Sequence, residues 1–384
     1  MVDTYPAHER GKALAIWGMG VMVAPILGPT VGGWLTEAVN WRWNFYINVP
    51  IGVLSFVLAM RYVPDTAVKA RRMDWWGLAF LAAFIAGLQY MLDRGQQEDW
   101  LASSAIRISL GIMLAGLALF VWHSVTSKTQ TLFSLRIFAD RNFAAASFVG
   151  ASMGLSLYGG MLLQPLLFEG LLQFPTFDTG VAMVPRGLGS LASMLLVGRL
   201  LGRFGAKPLI FFGIAVSLVG AWMMTGISLE ASARTTVLPL LLQGFGVGFV
   251  FIPLSAVAFA TLPRALATEA AGVYNLIRSI GSSIGISIVT VYMTRSAQAS
   301  WASLRAFLDP YRPEVRQYLD PLHMKAQGAG LALLAAQVAQ QAQMMGLLKA
   351  FWLIVASFVA MIPLVLLLRP VKGSGHAPAV AAAE

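Results

Sequence analysis

The sequence predicts an all-α integral membrane protein, and three observations carry that expectation. Hydrophobic residues make up 58% of the 384 and charged residues only 11%, where a soluble domain carries about 25% charged residues. About ten stretches reach the roughly 20 apolar residues that a helix needs to cross a hydrocarbon core of ~30 Å. The basic residues, which give a net charge of +10, gather in alternate short gaps between those stretches, as topology determinants do. No basic patch is interleaved with aromatics, so nucleic acid is excluded as a partner. With no cysteine, thiolate catalysis and Cys-ligated metal are excluded too. The four histidines show no metal-ligand spacing. No metal, no cofactor and no enzyme activity are expected.

The first span, 13–36, contains GVMVAPILGPTVGGW. Gly20, Ala24, Gly28 and Gly32 stand four apart and form one small-residue face, the kind over which membrane helices approach closely. Pro25 and Pro29 each remove a backbone donor and stiffen the segment. The second span, 44–63, follows a Trp-rich turn, WRWNFYINVPIG, whose rings suit the membrane interface. The third and fourth, 75–92 and 105–125, flank the acidic gap that holds Asp93, Glu98 and Asp99. The remaining spans are 143–168, 179–201, 208–227, 236–262, 271–294 and 346–368. Arg10 and Lys12, then Lys69, Arg71 and Arg72, then Lys128, Arg136 and Arg141, then Arg199, Arg203 and Lys207, then Arg264, and finally Arg369 and Lys372 occupy every second gap. By the positive-inside rule both ends are cytoplasmic. The long gap 295–345 is then external, with LALLAAQVAQQAQMMG reading as a helix returning to the membrane. The tail 369–384 is small, polar and expected to be disordered.

Gly28-Pro29-x-x-Gly32-Gly33, with Gly20 upstream, resembles the antiporter motif of proton-coupled drug exporters of the major facilitator superfamily. With APILGPTVGGWLTEAVNWRWNFYINVPIG, LQYMLDRGQQEDW, MVPRGLGS and NLIRSIGSSIGISI, the chain is similar to the fourteen-span EmrB/QacA group, its EmrB branch above all. The resemblance implies a major facilitator fold and export of amphipathic small molecules across the bacterial inner membrane. Such export would be driven by the proton gradient. The implied partners are membrane lipid, a periplasmic adaptor protein and an outer-membrane channel. It also implies that the first four spans of the group are absent, so the chain alone is expected to be inactive. Residues 1–63 would close the N-terminal half, 64–142 would hold two extra linker helices, and 143–368 would form the six-helix C-terminal half. GRLLGRFGAKP, with Gly198, Arg199, Arg203, Gly205 and Lys207, resembles a degenerate copy of the superfamily's loop motif; a plain basic turn explains those residues equally well. An exporter of one metabolite or toxin, and a non-functional gene remnant, remain the alternative readings.

An ionisable residue inside a span costs about 2.5–3.5 kcal/mol at the helix centre and calls for a partner or a wet cavity. Arg186, in VAMVPRGLGSL, and Arg278, in NLIRSIGSS, qualify. In the resembling fold both fall on helices at the interface between halves. Asn275, Gln243 and Gln164 offer neutral hydrogen-bond groups, as substrate contacts or as glue between helices. Arg278 is expected to face the transport cavity with Asn275 beside it.

Overall fold

The computed structural model describes residues 27–62, 73–127, 131–263, 266–309, 311–319 and 328–369. Gly20, the start of the first span and nearly all of the tail lie outside them. Helix α1 covers 27–38. It is followed by α2 (Trp43–Tyr46), α3 (Asn48–Tyr62), α4 (Trp75–Arg94), α5 (Ser104–Thr126) and α6 (Arg141–Pro165). Next come α7 (Thr176–Phe204), α8 (Ala206–Met224), α9 (Ala233–Ala260), α10 (Ala267–Leu304), α11 (Pro313–Leu319) and α12 (Ala329–Leu366). Among the described residues, nine helical segments are long and apolar enough to cross a membrane, α2 and α3 counting as one. Described residues outside helices are turns and short connections, with no strand.

Six helices, α6 to α10 and α12, share one apolar core. Phe143 and Phe168 of the α6 segment, Ile210 of α8, Leu240 of α9 and Phe351 of α12 are fully buried in it. Close seating depends on small residues where helices cross. At Gly189 of α7 an added Cβ would strike the carbonyl of Leu241, and at Gly244 of α9 it would strike the carbonyl of Arg186. The α7–α9 crossing therefore admits no side chain at either point. Helices α4 and α5 form a separate hairpin, tied by Ser109 Oγ donating to Gly87 O at 2.7 Å. The hairpin docks on α10, where Ser287 Oγ donates to Leu92 O at 3.1 Å. Helix α3 buries none of its residues against the other described elements.

One end of the bundle is basic and anchors the last helix. Lys207 Nζ donates to Leu366 O at 3.0 Å and to Leu368 O at 3.1 Å. Arg141 Nε donates to Leu367 O at 3.3 Å, and the Arg369 N–H to Asn142 Oδ1 at 2.9 Å. Two cations thus sit on the free carbonyls at the negative end of the α12 dipole.

The expected long loop at 295–345 is mostly helix. Helix α10 continues to Leu304 and α12 begins at Ala329. Sequences such as RSAQASWASL and AGLALLAAQVAQQAQ are rich in helix formers and carry no proline or internal glycine beyond the first turn. Loss of hydropathy marks where the chain leaves lipid, and the helix runs on. At 1.5 Å per residue each of these two helices is about 57 Å long, well beyond the ~30 Å hydrocarbon thickness. Helix α11 caps their far end, with Val315 and Leu319 packed on Leu334.

Candidate functional site

The structure brings three of the five sequence-derived pathway residues together. Gln164 of α6, Arg186 of α7 and Gln243 of α9 are all at least nine-tenths buried. Gln164 Nε2 donates to Gln243 Oε1 at 3.4 Å, and Gln243 Nε2 donates to Gly220 O of α8 at 3.3 Å. Arg186 Nη2 donates to Leu157 O of α6 at 3.0 Å. Gly160 lies among them: a Cβ there would stand 3.7 Å from Arg186 Nη1 and 3.8 Å from Gln243 Oε1. Among the described residues, Arg186 Nη1 and Gln164 Oε1 have no hydrogen-bond partner. One unmet donor and one unmet acceptor therefore remain in a cluster otherwise linked through four helices. Arg186 faces the interior of the six-helix bundle, with its guanidinium on α6, and Gly244 lets α9 seat against the Arg186 backbone.

Arg278 and Asn275 form a second, separate pair on α10. Arg278 Nη2 donates to Asn275 Oδ1 at 3.2 Å, and Asn275 Nδ2 to Ala271 O at 3.0 Å. The guanidinium also lies over the Phe251 ring of α9, 5.3 Å from its centroid, a cation–π geometry. Arg278 is half-buried and Asn275 exposed, so this pair is open where the Arg186 cluster is closed.

Helix α1, with Gly28, Pro29, Gly32 and Gly33, rests on the start of α7 at the end opposite Lys207. A Cβ on Gly33 would stand 2.5 Å from Thr176 O, and one on Gly180 would run into Pro29 O. Thr30 Oγ1 donates to Gly180 O at 3.1 Å, and the Phe177 N–H donates to Glu37 Oε1 at 2.9 Å. Gly28 meets nothing within 4 Å and Gly32 meets only Asn44 Oδ1 at 3.6 Å. Of the motif's glycines inside the described residues, Gly33 makes the close contact with α7. Glu37 and Thr30 carry no motif signal in the sequence, and only the helix pairing identifies them.

The loop-motif copy divides in the same way. Lys207 holds the end of α12, and Gly205 takes a left-handed turn at φ 77° that a side chain would strain. Gly198 has open space around it, Arg199 is exposed, and Arg203 lies over the Phe204 ring. At the basic end of the α4–α5 hairpin, Asp74 caps α4. It accepts from the Gly77 N–H at 2.9 Å and the Leu132 N–H at 3.1 Å, and pairs with His123 Nε2 at 2.9 Å. Desolvation pushes its carboxyl up, but the hydrogen bonds from Gly77, His123 and Leu132 outweigh this and hold it below the usual carboxylate range. An Asp directly before WWGLAF is a readable helix start; its partners His123 and Leu132 are not. Among the described residues, no group of three or more His, Asp or Glu could hold a metal ion.

The fold agrees with comparisons to known proteins. The Multidrug export protein EmrB of Escherichia coli strain K12 is 29% identical over 386 aligned residues, covering 98% of this chain and 74% of that protein. The Fatty acid resistance protein FarB of Neisseria gonorrhoeae is 29% identical over 383, covering 98% and 75%. The Colistin resistance protein EmrB of Acinetobacter baumannii is 28% identical over 290, covering 74% and 56%. The profile of the Major Facilitator Superfamily matches residues 1–286, three quarters of a chain whose long helices form one bundle, and the chain belongs to that superfamily.

Proposed function

We propose that this chain serves in a proton-coupled antiporter that exports amphipathic compounds across the bacterial inner membrane. The observation that carries the reading is that similarity to proteins named for multidrug export and for fatty acid resistance runs through 98% of the chain. It therefore spans both the helix with the antiporter motif and the six-helix bundle. The packing of α1 on α7 supports it, because a tight contact between a helix of one half and a helix of the other closes one end of a rocking transporter. Energy comes from the proton gradient, with no cofactor. Arg278 and Asn275, open on α10, are the substrate-facing pair. Arg186, Gln164 and Gln243 form the buried polar contact behind them. A periplasmic adaptor and an outer-membrane channel are the partners proposed for complete extrusion.

Because the resemblance leads us to expect the chain alone to be inactive, the test is proton release from inside-out membrane vesicles, acidified by respiration, that hold this chain joined behind the first four spans of Escherichia coli EmrB. Addition of ethidium, decanoate or another amphiphile should collapse the pH gradient measurably above empty-vector vesicles. No collapse with any compound, at verified membrane abundance, overturns the reading. A response to only one compound class points instead to a single-substrate exporter, a reading that the fatty acid resistance relative favours.

A further inference from the structure

A cavity of about 440 Å³ opens where α6 ends, between α6, α10 and α12. That volume falls within the ~300–1,000 Å³ usual for small-molecule sites. Pro165 cannot donate to the carbonyl of Met161. Directly after it the helix widens to a π-helical stretch over Leu166–Leu171, a distortion that recurs at functional sites. Gln340 Nε2 donates to Leu171 O at 3.0 Å, fixing the end of this wall to α12. Leu166 and Gly170 line one side, Thr294, Gln298 and Trp301 of α10 another, and Gln343 of α12 a third. No acidic or basic residue lines it. Leu347, which also lines it, stands about 29 Å along α12 from Leu366. One hydrocarbon thickness is ~30 Å, so the cavity lies at the headgroup boundary of the leaflet opposite Lys207. Gln298 and Gln343 are exposed there, with apolar walls beside them.

We propose that this cavity binds the uncharged hydrocarbon chain of an amphiphile lying in that leaflet. The chain packs against Leu166 and Trp301, and neutral polar atoms of the head meet the Gln298 and Gln343 carboxamides. The apolar lining selects the chain, and the absence of any facing charge leaves the head free to vary. The source is either a bilayer phospholipid or a free single-chain amphiphile.

Gly170 is the position at which to fill it, because a Cβ there meets nothing within 4 Å. The protein is placed in nanodiscs and irradiated with diazirine-bearing decanol, or with phosphatidylcholine carrying the diazirine in its acyl chain, and adducts are mapped by mass spectrometry. Adducts should concentrate on 166–171, 293–301 and 339–347, and fall at least tenfold in Gly170→Phe. Labelling at the lipid-facing Trp222 should not change. Capture of the phospholipid probe identifies a bilayer chain as occupant; capture of decanol that added phospholipid does not displace identifies a free amphiphile. If Gly170→Phe does not reach the membrane, Ala339→Phe narrows the cavity from α12. Adducts spread evenly along α10 and α12, or unchanged by either filling variant, overturn the proposal. Because binding is read without transport, the antiport reading can fail while this one stands.

Discussion

Arg186, only 8% exposed inside a membrane bundle, is tethered through Nη2 to the Leu157 carbonyl and has an unmet Nη1. A charge-assisted hydrogen bond contributes about 1.5–3 kcal/mol, similar to the ~2.5–3.5 kcal/mol insertion cost of the charge. Arg186 thus comes close to breaking even as a structural residue, and a purely structural role could be filled without a charge. Replacing buried ionic groups by apolar side chains of similar volume is often neutral or stabilising when no partner charge is left behind, and no carboxylate pairs with Arg186 among the described residues. Arg186→Met is therefore expected to keep membrane abundance and melting temperature while lowering export at least tenfold. Full export by this variant, at equal abundance, would make Arg186 a packing residue. At Asp74 the expectation concerns pH. Its folded carboxyl titrates below the ordinary value of 3.8, so its stabilisation is complete above that range and is lost as pH falls through the lower folded value. Asparagine still caps a helix but loses the charge that His123 and Leu132 address. Asp74→Asn should cost about 1–2 kcal/mol near pH 7. The melting-temperature gap to the parent should narrow progressively as pH falls below 3.8; a gap that stays constant with falling pH would refute the assignment.

Between elements, Gly33 and Gly180 fix how near α1 and α7 stand. Any side chain at Gly180 meets the backbone of Pro29 and Thr30, which cannot rotate away, so Gly180→Leu must part the two helices. The Thr30–Gly180 and Phe177–Glu37 hydrogen bonds would go with the contact. A cysteine at Thr30 in this cysteine-free chain should then react with a soluble maleimide at least tenfold faster in Gly180→Leu than in its parent. An unchanged rate would mean that the helices are not held by this contact. The sequence revealed that Gly28, Gly32 and Gly33 share a small-residue stretch, but not that Gly33 would be the one to meet α7, because spacing fixes a face and not its partner. Hydropathy likewise located the nine spans within the described residues yet ended α10 too early, since polarity ends a span without ending a helix; the helix read over 331–346 is the start of α12. Arg186, Gln164 and Gln243 were each legible as polar residues in apolar runs. Their union across α6, α7 and α9 depends on glycines far from them in sequence, which is why it was not.

At the scale of the whole molecule, the distribution of basic residues and the packing support one expected orientation, with the Lys207 end cytoplasmic. Arg141 and Lys207 sit at one end of the bundle, on the last carbonyls of α12. Translocating that end would move these cations across the membrane, which the positive-inside rule disfavours. The opposite end carries the α10–α12 projection and α11, where long segments translocate largely regardless of charge. Two single cysteines test this. Tyr311, between α10 and α11, is 82% exposed; Arg203, near the end of α7, is also exposed. Tyr311→Cys should react with an impermeant maleimide in intact cells, and Arg203→Cys only after the membrane is permeabilised. The two positions are separated by α8, α9 and α10, an odd number of crossings. Reaction of both from the same side would therefore overturn the span assignment itself. Reaction with the sides exchanged would keep the spans but reverse the protein, placing Lys207 and the α12 terminus outside.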